Sequence, residues 1–172
     1  SFEIIDLPLI EYIAQTKKPM IISTGMANLE EIREAVEVAK ENGCQDLALL
    51  HCISSYPAPI EESNLLTIPD LAEKFGVVSG LSDHTIGTIV ATTSVALGAR
   101  VIEKHFTLSR ADKGADSAFS LEPDELKRLC RNVKVAWSSL GKAGYNLKKS
   151  EKLSSRRSLY IVKDIKKGEV IT

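Results

Sequence analysis

Several things are missing from this sequence, and each absence narrows what the chain can be. It has no C-x-x-C pair: its three cysteines, Cys44, Cys52 and Cys130, are odd in number and far apart. That disfavours a disulfide framework or a zinc ribbon and fits a reducing cytoplasm. No apolar run approaches the roughly 20 residues that cross a bilayer, and no basic stretch followed by an apolar core opens the chain, so a soluble cytoplasmic protein is expected. Neither sign of charge dominates, with 22 Lys and Arg against 23 Asp and Glu, a net charge of −1. Basic residues gather only at Lys148, Lys149, Lys152, Arg156 and Arg157, which reads as a solvated linker rather than a nucleic-acid footprint. A Gly-rich dinucleotide loop is also lacking.

What is present is 172 residues with 44% hydrophobic and 26% charged side chains, an ordinary globular balance that can bury a real core. Ser1-Phe2-Glu3-Ile4 reads like the middle of a structural unit and Gly168 to Thr172 like a strand cut short, so a piece of a longer protein is expected.

Ser1 to Glu3 are expected to end a strand, followed by a short helix over residues 7–13, where Leu7, Leu9, Ile10 and Ile13 have helical spacing. Pro19 to Ser23 is a short apolar run, the mark of a strand covered on both faces. Asn28 with Glu31 predicts a capping box for a helix over 29–41, with Gly43 as its stop. The pattern then repeats. Strands are expected at 46–52, 77–82 and 100–106, and helices at 68–75, 86–97 and 123–140, with Pro69 and Pro123 in first turns. Strand starts near 19, 46, 77 and 100 recur at the length of one βα unit. Consecutive parallel units favour part of a (β/α)8 barrel over a doubly wound sheet, although periodicity alone fits both. From Gly141 to Ser155 small and basic residues replace the apolar period, as in a linker. A second, β-rich unit is expected beyond it, with strands at 158–162 and from 169.

Chemistry in parallel α/β folds sits at the C-terminal ends of strands. His84 and His105 both stand there. By alternation Val78, Gly80, Ser82 and His84 share one face, and Val101, Glu103 and His105 share another. If both faces point inward the imidazoles converge, and two neutral histidines with open positions suit a catalytic divalent cation better than closed structural zinc. The plainer alternative is that each histidine only caps its strand. His51 alternates with Leu47 and Leu49 and is expected to pack. Ser23, Ser82 and the Thr24-Gly25 turn offer hydroxyl and N–H donors of the kind that hold phosphate or carboxylate, or they serve as simple caps. Glu3, Glu103 and Asp116 are candidate acids or bases. Glu103 alternatively supports a neighbouring group, and Asp116 alternatively shapes its loop.

Five runs in order, Ile22 to Met26, His51 to Pro59, Gly80 to Thr85, Glu103 to Thr107 and Gly114 to Ser120, make the chain similar to the sialic acid synthase family, the phosphoenolpyruvate-dependent synthases of nonulosonic acids. The resemblance covers nearly the whole chain. It implies the C-terminal part of a (β/α)8 TIM barrel at residues 1–143, from the end of the fourth strand through the eighth helix, a linker at 144–157, and the start of a small β-rich antifreeze-like (SAF) domain at 158–172.

Members of the family condense phosphoenolpyruvate with an open-chain N-acetylated amino sugar. On matching positions the resemblance implies that His84 and His105 bind a divalent metal, Mn2+ first, with Mg2+ or Co2+ as alternatives, which polarises the sugar aldehyde. It implies that Ser1, Ser23 and Ser82 bind phosphoenolpyruvate, with Ser54 standing where some members carry asparagine. Tyr56 and Asp116 would contact the sugar, and Glu3 would manage the proton of the water that adds at C2. Ser1 to Ile4, Leu7 to Ile10, Asn64 to Leu66, Asp116 to Ser120 and Arg157 to Tyr160 are more similar to pseudaminic acid synthases, which implies a 2,4-diacetamido-2,4,6-trideoxyhexose of altrose configuration as acceptor. N-acetylmannosamine is the runner-up and the legionaminic acid precursor the third. The family's first three strands are absent, with a glutamate and lysines that hold substrate, and so is a later arginine that reaches the partner subunit of a domain-swapped homodimer. Alone, the chain is therefore expected to be inactive, with open strand edges prone to pairing. Two other readings are a noncatalytic barrel remnant and a metal-dependent aldolase or isomerase that works without phosphoenolpyruvate.

Overall fold

Short apolar runs bounded by turn residues become strands because a sheet covered on both faces buries most of the side chains they carry, completely so only over Leu47–Cys52. In the computed structural model, which describes residues 2–146, 148–151 and 156–170, there are four of them: β1 (Met20–Ser23), β2 (Leu47–Cys52), β3 (Val78–Asp83) and β4 (Val101–Lys104). They pair in parallel in the order β1-β2-β3-β4. This order decides between the two architectures left open by periodicity. A doubly wound sheet reverses its strand order at a switch point, whereas strands laid down in chain order make a curled half-barrel.

The helices are α1 (Leu7–Ala14), α2 (Leu29–Glu41), α3 (Thr67–Phe75), α4 (Ile89–Ala96) and α5 (Pro123–Leu140). Helix α2 starts where expected because Asn28 accepts from the amides of Glu30 and Glu31 while the Glu31 carboxylate takes the Asn28 N–H, the reciprocal capping box. Helix α5 has the same device built from Glu122 and Glu125. Helix α4 starts three residues later than expected, since Gly87 has φ +85° and breaks the first turn. The chain start is a 3-10 turn at Phe2–Ile5, closed by the Asp6 N–H donating to the Glu3 carbonyl at 2.9 Å. The strand end expected over Ser1–Glu3 is therefore corrected for Phe2 and Glu3, which lie in this turn; Ser1 lies outside the described residues.

Alternation sorts the strand residues into two faces. Met20, Ile22, Leu47 and Leu49 pack with residues of α1, α2 and α3 in one apolar cluster. Leu81 packs with Ile68 and Val90, and Ile102 packs beside Ala91, Leu121 and Leu129. The opposite face carries Ser23, Leu50, Cys52, Gly80, Ser82 and Glu103. Gly80 is required there: a Cβ would sit 2.2 Å from the Val101 carbonyl oxygen and 2.7 Å from Leu50 Cδ2, far inside contact distance.

The chain divides into two compact units, Ser1–Gly141 and Lys142–Thr172. In the second unit residues 158–162 form no strand, and Leu159, Tyr160, Ile161 and Val162 are exposed. The strand expected there is corrected because strand-forming side chains do not make a strand without a hydrogen-bonding neighbour. The strand expected from 169 runs into residues 171–172, which lie outside the described residues. Among the described residues no helix is long and apolar enough to cross a membrane.

Candidate functional site

At the C-terminal ends of β3 and β4, His84 and His105 follow their strands by one residue each. Their ring centroids stand 5.1 Å apart at 70°, so the two expected ligands do converge. The loop after β2 brings Tyr56 over both, 4.3 Å from His84 and 5.7 Å from His105. Phe119 closes the other side at 5.0 Å from His105.

The Nδ1 atoms of both imidazoles face oxygen, that of His84 within hydrogen-bond range and that of His105 beyond it. In His84, Nδ1 lies 2.8 Å from the Ile53 carbonyl, and a carbonyl accepts, so Nδ1 carries the proton and Nε2 the lone pair. In His105, Nδ1 lies 3.6 Å from Asp116 Oδ2, beyond hydrogen-bond range but of the same sense. Nδ1 turned to oxygen with Nε2 left to bind is how ligating histidines are held. Among the described residues no group of three or more His, Cys, Asp or Glu gathers as a ligand set. The two imidazoles could hold a divalent cation that takes its other ligands from water and oxygen donors.

Burial pulls the His84 pKa down, but contacts to Cys52, to the Ile53 carbonyl and to the Asp83 charge leave it above the ordinary imidazole value. Burial pushes the Cys52 thiol up, and His84 with nearby hydroxyls brings it net below its ordinary value. His51 is the opposite case. It lies on the helix side of β2, with Nε2 2.8 Å from the Ser63 carbonyl, and burial holds its pKa low. It packs, as expected.

The remaining candidates lie at the same strand ends. Ser23, at the end of β1, lines a hollow of about 420 Å³ with Glu3 and Glu103. Ser82 Oγ donates to Glu103 Oε1 at 2.7 Å, linking that hollow to the histidine pair. Ser54 Oγ lies 3.9 Å from Cys52 Sγ, and that sulfur lies 3.9 Å from His84 Nδ1. Asp116 is exposed beside His105, its carbonyl accepting from Ser120 Oγ. Ser1 lies outside the described residues.

Sequence reasoning passed over two features. One is Phe119, placed by a parallel bridge between Phe106 and Leu121 that extends β4. The other is the ion pair of Lys104 with Asp83, with side chains only 3% and 1% exposed. The signal for it was there: an acidic and a basic residue each immediately precede a candidate histidine.

A curled parallel half-barrel that gathers two imidazoles, hydroxyls and carboxylates at its C-terminal strand ends has the layout of a TIM-barrel protein. The solved N-acetylneuraminic acid (sialic acid) synthetase of Leptospira borgpetersenii, in complex with citrate, superposes with a TM-score of 0.81 at 35% identity, covering 86% of this chain and 52% of that one. Residues 1–145 match the NeuB family, and the chain belongs to it. A pseudaminic acid synthase of Campylobacter jejuni is 47% identical over all of this chain and 51% of its own length. An N,N'-diacetyllegionaminic acid synthase of the same species is 46% identical, again over the whole chain and 53% of its own. The chain thus spans about half the length of these relatives.

Proposed function

We propose that this half-barrel belongs to a phosphoenolpyruvate-dependent nonulosonic acid synthase that joins phosphoenolpyruvate to a 2,4-diacetamido-2,4,6-trideoxyhexose, giving pseudaminic acid and phosphate. The observation that supports it is the convergence of Tyr56, His84 and His105 from three neighbouring strand ends, in a chain whose similar relatives are named as a pseudaminic acid synthase and a diacetyllegionaminic acid synthase.

In this reading His84 and His105 hold a divalent cation, Mn2+ first and Mg2+ or Co2+ as alternatives, through Nε2. When bound, the cation supplies Lewis-acid polarisation of the sugar aldehyde. C3 of phosphoenolpyruvate forms the new bond to the aldehyde carbon, whose oxygen gains a proton to become a hydroxyl. Water adds at C2 with loss of a proton, and the C2–O bond to phosphate then breaks as the new C2 hydroxyl gives up its proton, leaving a C2 ketone and phosphate. Ser23 and Ser82 donate to the carboxylate and phosphate oxygens, with Ser82 transferring to substrate the hydrogen bond it otherwise gives Glu103. Ser1 and Ser54 belong to the same substrate set. Glu3 takes the proton of the attacking water. Tyr56 covers the sugar ring, and Asp116 orients both His105 and a sugar hydroxyl. Residues from 158 onward begin a small antifreeze-like domain, and the full protein is a domain-swapped homodimer.

The test uses the full-length protein with phosphoenolpyruvate, Mn2+ and each sugar in turn, following phosphate release. Release with the altrose-configured sugar is expected, and none with any sugar overturns the synthase reading. A second reading, the diacetyllegionaminic acid synthase, is favoured by its nearly equal identity; release with that precursor alone selects it, and release with N-acetylmannosamine alone selects the sialic acid reading. In His84→Ala and His105→Ala, metal-stimulated release should fall by at least about a thousandfold, on the scale at which transition-state charge stabilisation is lost. Unchanged rates remove the metal assignment.

A further inference from the structure

We propose that the buried Asp83–Lys104 pair is a positioning device that fixes the separation of His84 and His105, and through it the affinity of the cation site. The inference rests on reading these two histidines as cation ligands. Asp83 and Lys104 are direct partners across β3 and β4, and each is the residue immediately before a histidine. Side chains alternate, so the pair lies on the helix side of the sheet while both imidazoles lie on the other.

The pair does more than join two charges. Lys104 Nζ donates to Asp83 Oδ2 at 2.8 Å and also to the Thr85 carbonyl. Asp83 Oδ1 accepts from both the Thr85 amide and the Thr85 hydroxyl, each at 2.8 Å. Thr85 is therefore held at its N–H and its C=O, and His84 sits between two anchored residues. On β4 the anchor is Lys104 itself, and the His105 carbonyl accepts from the Leu121 N–H at 2.9 Å just beyond it. A lysine and a carboxylate with side chains 3% and 1% exposed are a costly way to join two strands, because an apolar pair of the same volume is often as stable. Directional bonds, unlike apolar packing, hold strand ends to a fraction of an ångström, the tolerance that ligand sites need.

The test measures Mn2+ affinity of the full-length protein without substrate, by the electron paramagnetic resonance signal of free Mn2+, alongside Tm. Asp83→Leu with Lys104→Met removes both charges together; because the buried Thr85 N–H, hydroxyl and carbonyl lose their partners, Tm is expected to fall, and affinity is read on the folded protein. A role in stability alone predicts unchanged Mn2+ affinity in it. The positioning role predicts affinity about tenfold weaker, on the scale of changes in groups that orient ligands. A folded double variant with parental affinity overturns the proposal. If the double variant does not fold, Thr85→Val serves instead: it removes only the hydroxyl bond to Asp83 and should weaken Mn2+ about threefold, the scale of one hydrogen bond. Parental affinity there is equally fatal. His84→Ala separates the two levels. If it binds Mn2+ as tightly as the parent, the cation reading itself fails and the positioning role with it; if it loses Mn2+ while the charge-free variant does not, only the positioning role fails.

Discussion

The two halves of the sheet are held in different ways. Behind β1 and β2 lies one continuous apolar cluster that runs from Ile4 to Phe75 and takes in three helices. Behind β3 and β4 the clusters are small, Ile68 with Leu81, Val90 and Ala99, and Ala91 with Leu121 and Leu129. The strand ends on that side are fixed by the Asp83–Lys104 pair and its bonds to Thr85. Apolar burial is strong but has no direction. Hydrogen bonds and ion pairs are weaker net, yet they specify distance and angle. The half with the converging histidines is the half held by directional contacts.

Three changes probe that contrast. The largest loss is expected from Leu49→Ala, which empties a fully buried position in the large cluster. It should cost about 3 kcal/mol in urea unfolding and leave the Mn2+ affinity of the folded protein unchanged; a large change in affinity would erase the distinction between the halves. Gly80→Ala comes next. Its Cβ would meet the Val101 carbonyl at 2.2 Å, and overpacking of this kind costs about 1–3 kcal/mol. Because β4 must shift to make room, Mn2+ affinity should fall along with stability, in contrast to Leu49→Ala.

The smallest effect belongs to Arg110→Met. Arg110 Nη1 and Nη2 donate to the Glu125 carboxylate at 2.6 and 3.1 Å. That bidentate bond, joined by the Glu122 N–H, holds the Glu125 pKa at about 2 against an ordinary 4.5. Arg110 is partly exposed, so solvent screening keeps the loss at neutral pH small. A lowered carboxyl pKa stabilises above the ordinary value, and that stability is lost as pH falls through the folded value. The Tm gap between parent and variant should therefore be full at pH 6 and shrink between about pH 4.5 and pH 2. A gap that stays constant over that window would show that the carboxylate is not the cause.

This contrast also explains what the sequence could reveal. Elements with a local cause were readable: α2 from its Asn28–Glu31 box, α5 from Pro123, and the inward pairing of His84 and His105 from alternation. Strand order was not, because periodicity carries no information on which strand neighbours which. The Asp83–Lys104 pair escaped notice because a charged residue at a strand end looks solvated until its neighbour across the ladder is known. Phe119 escaped because its place depends on the long-range bridge of Phe106 to Leu121. The strand expected at 158–162 failed for the converse reason: the local propensity is there, and the pairing is not.

The aromatic lid also turns the site into its own spectroscopic label. The chain has three histidines. Tyr56 lies 4.3 Å from one and 5.7 Å from the second, and Phe119 lies 5.0 Å from that second one, whereas His51 rests against the backbone carbonyl of Ser63. Ring currents should displace the carbon-bound proton resonances of His84 and His105 and leave His51 as an internal reference. A proton spectrum of the unlabelled protein then distinguishes site from core without a single substitution, and a titrated ion would announce which imidazoles it meets.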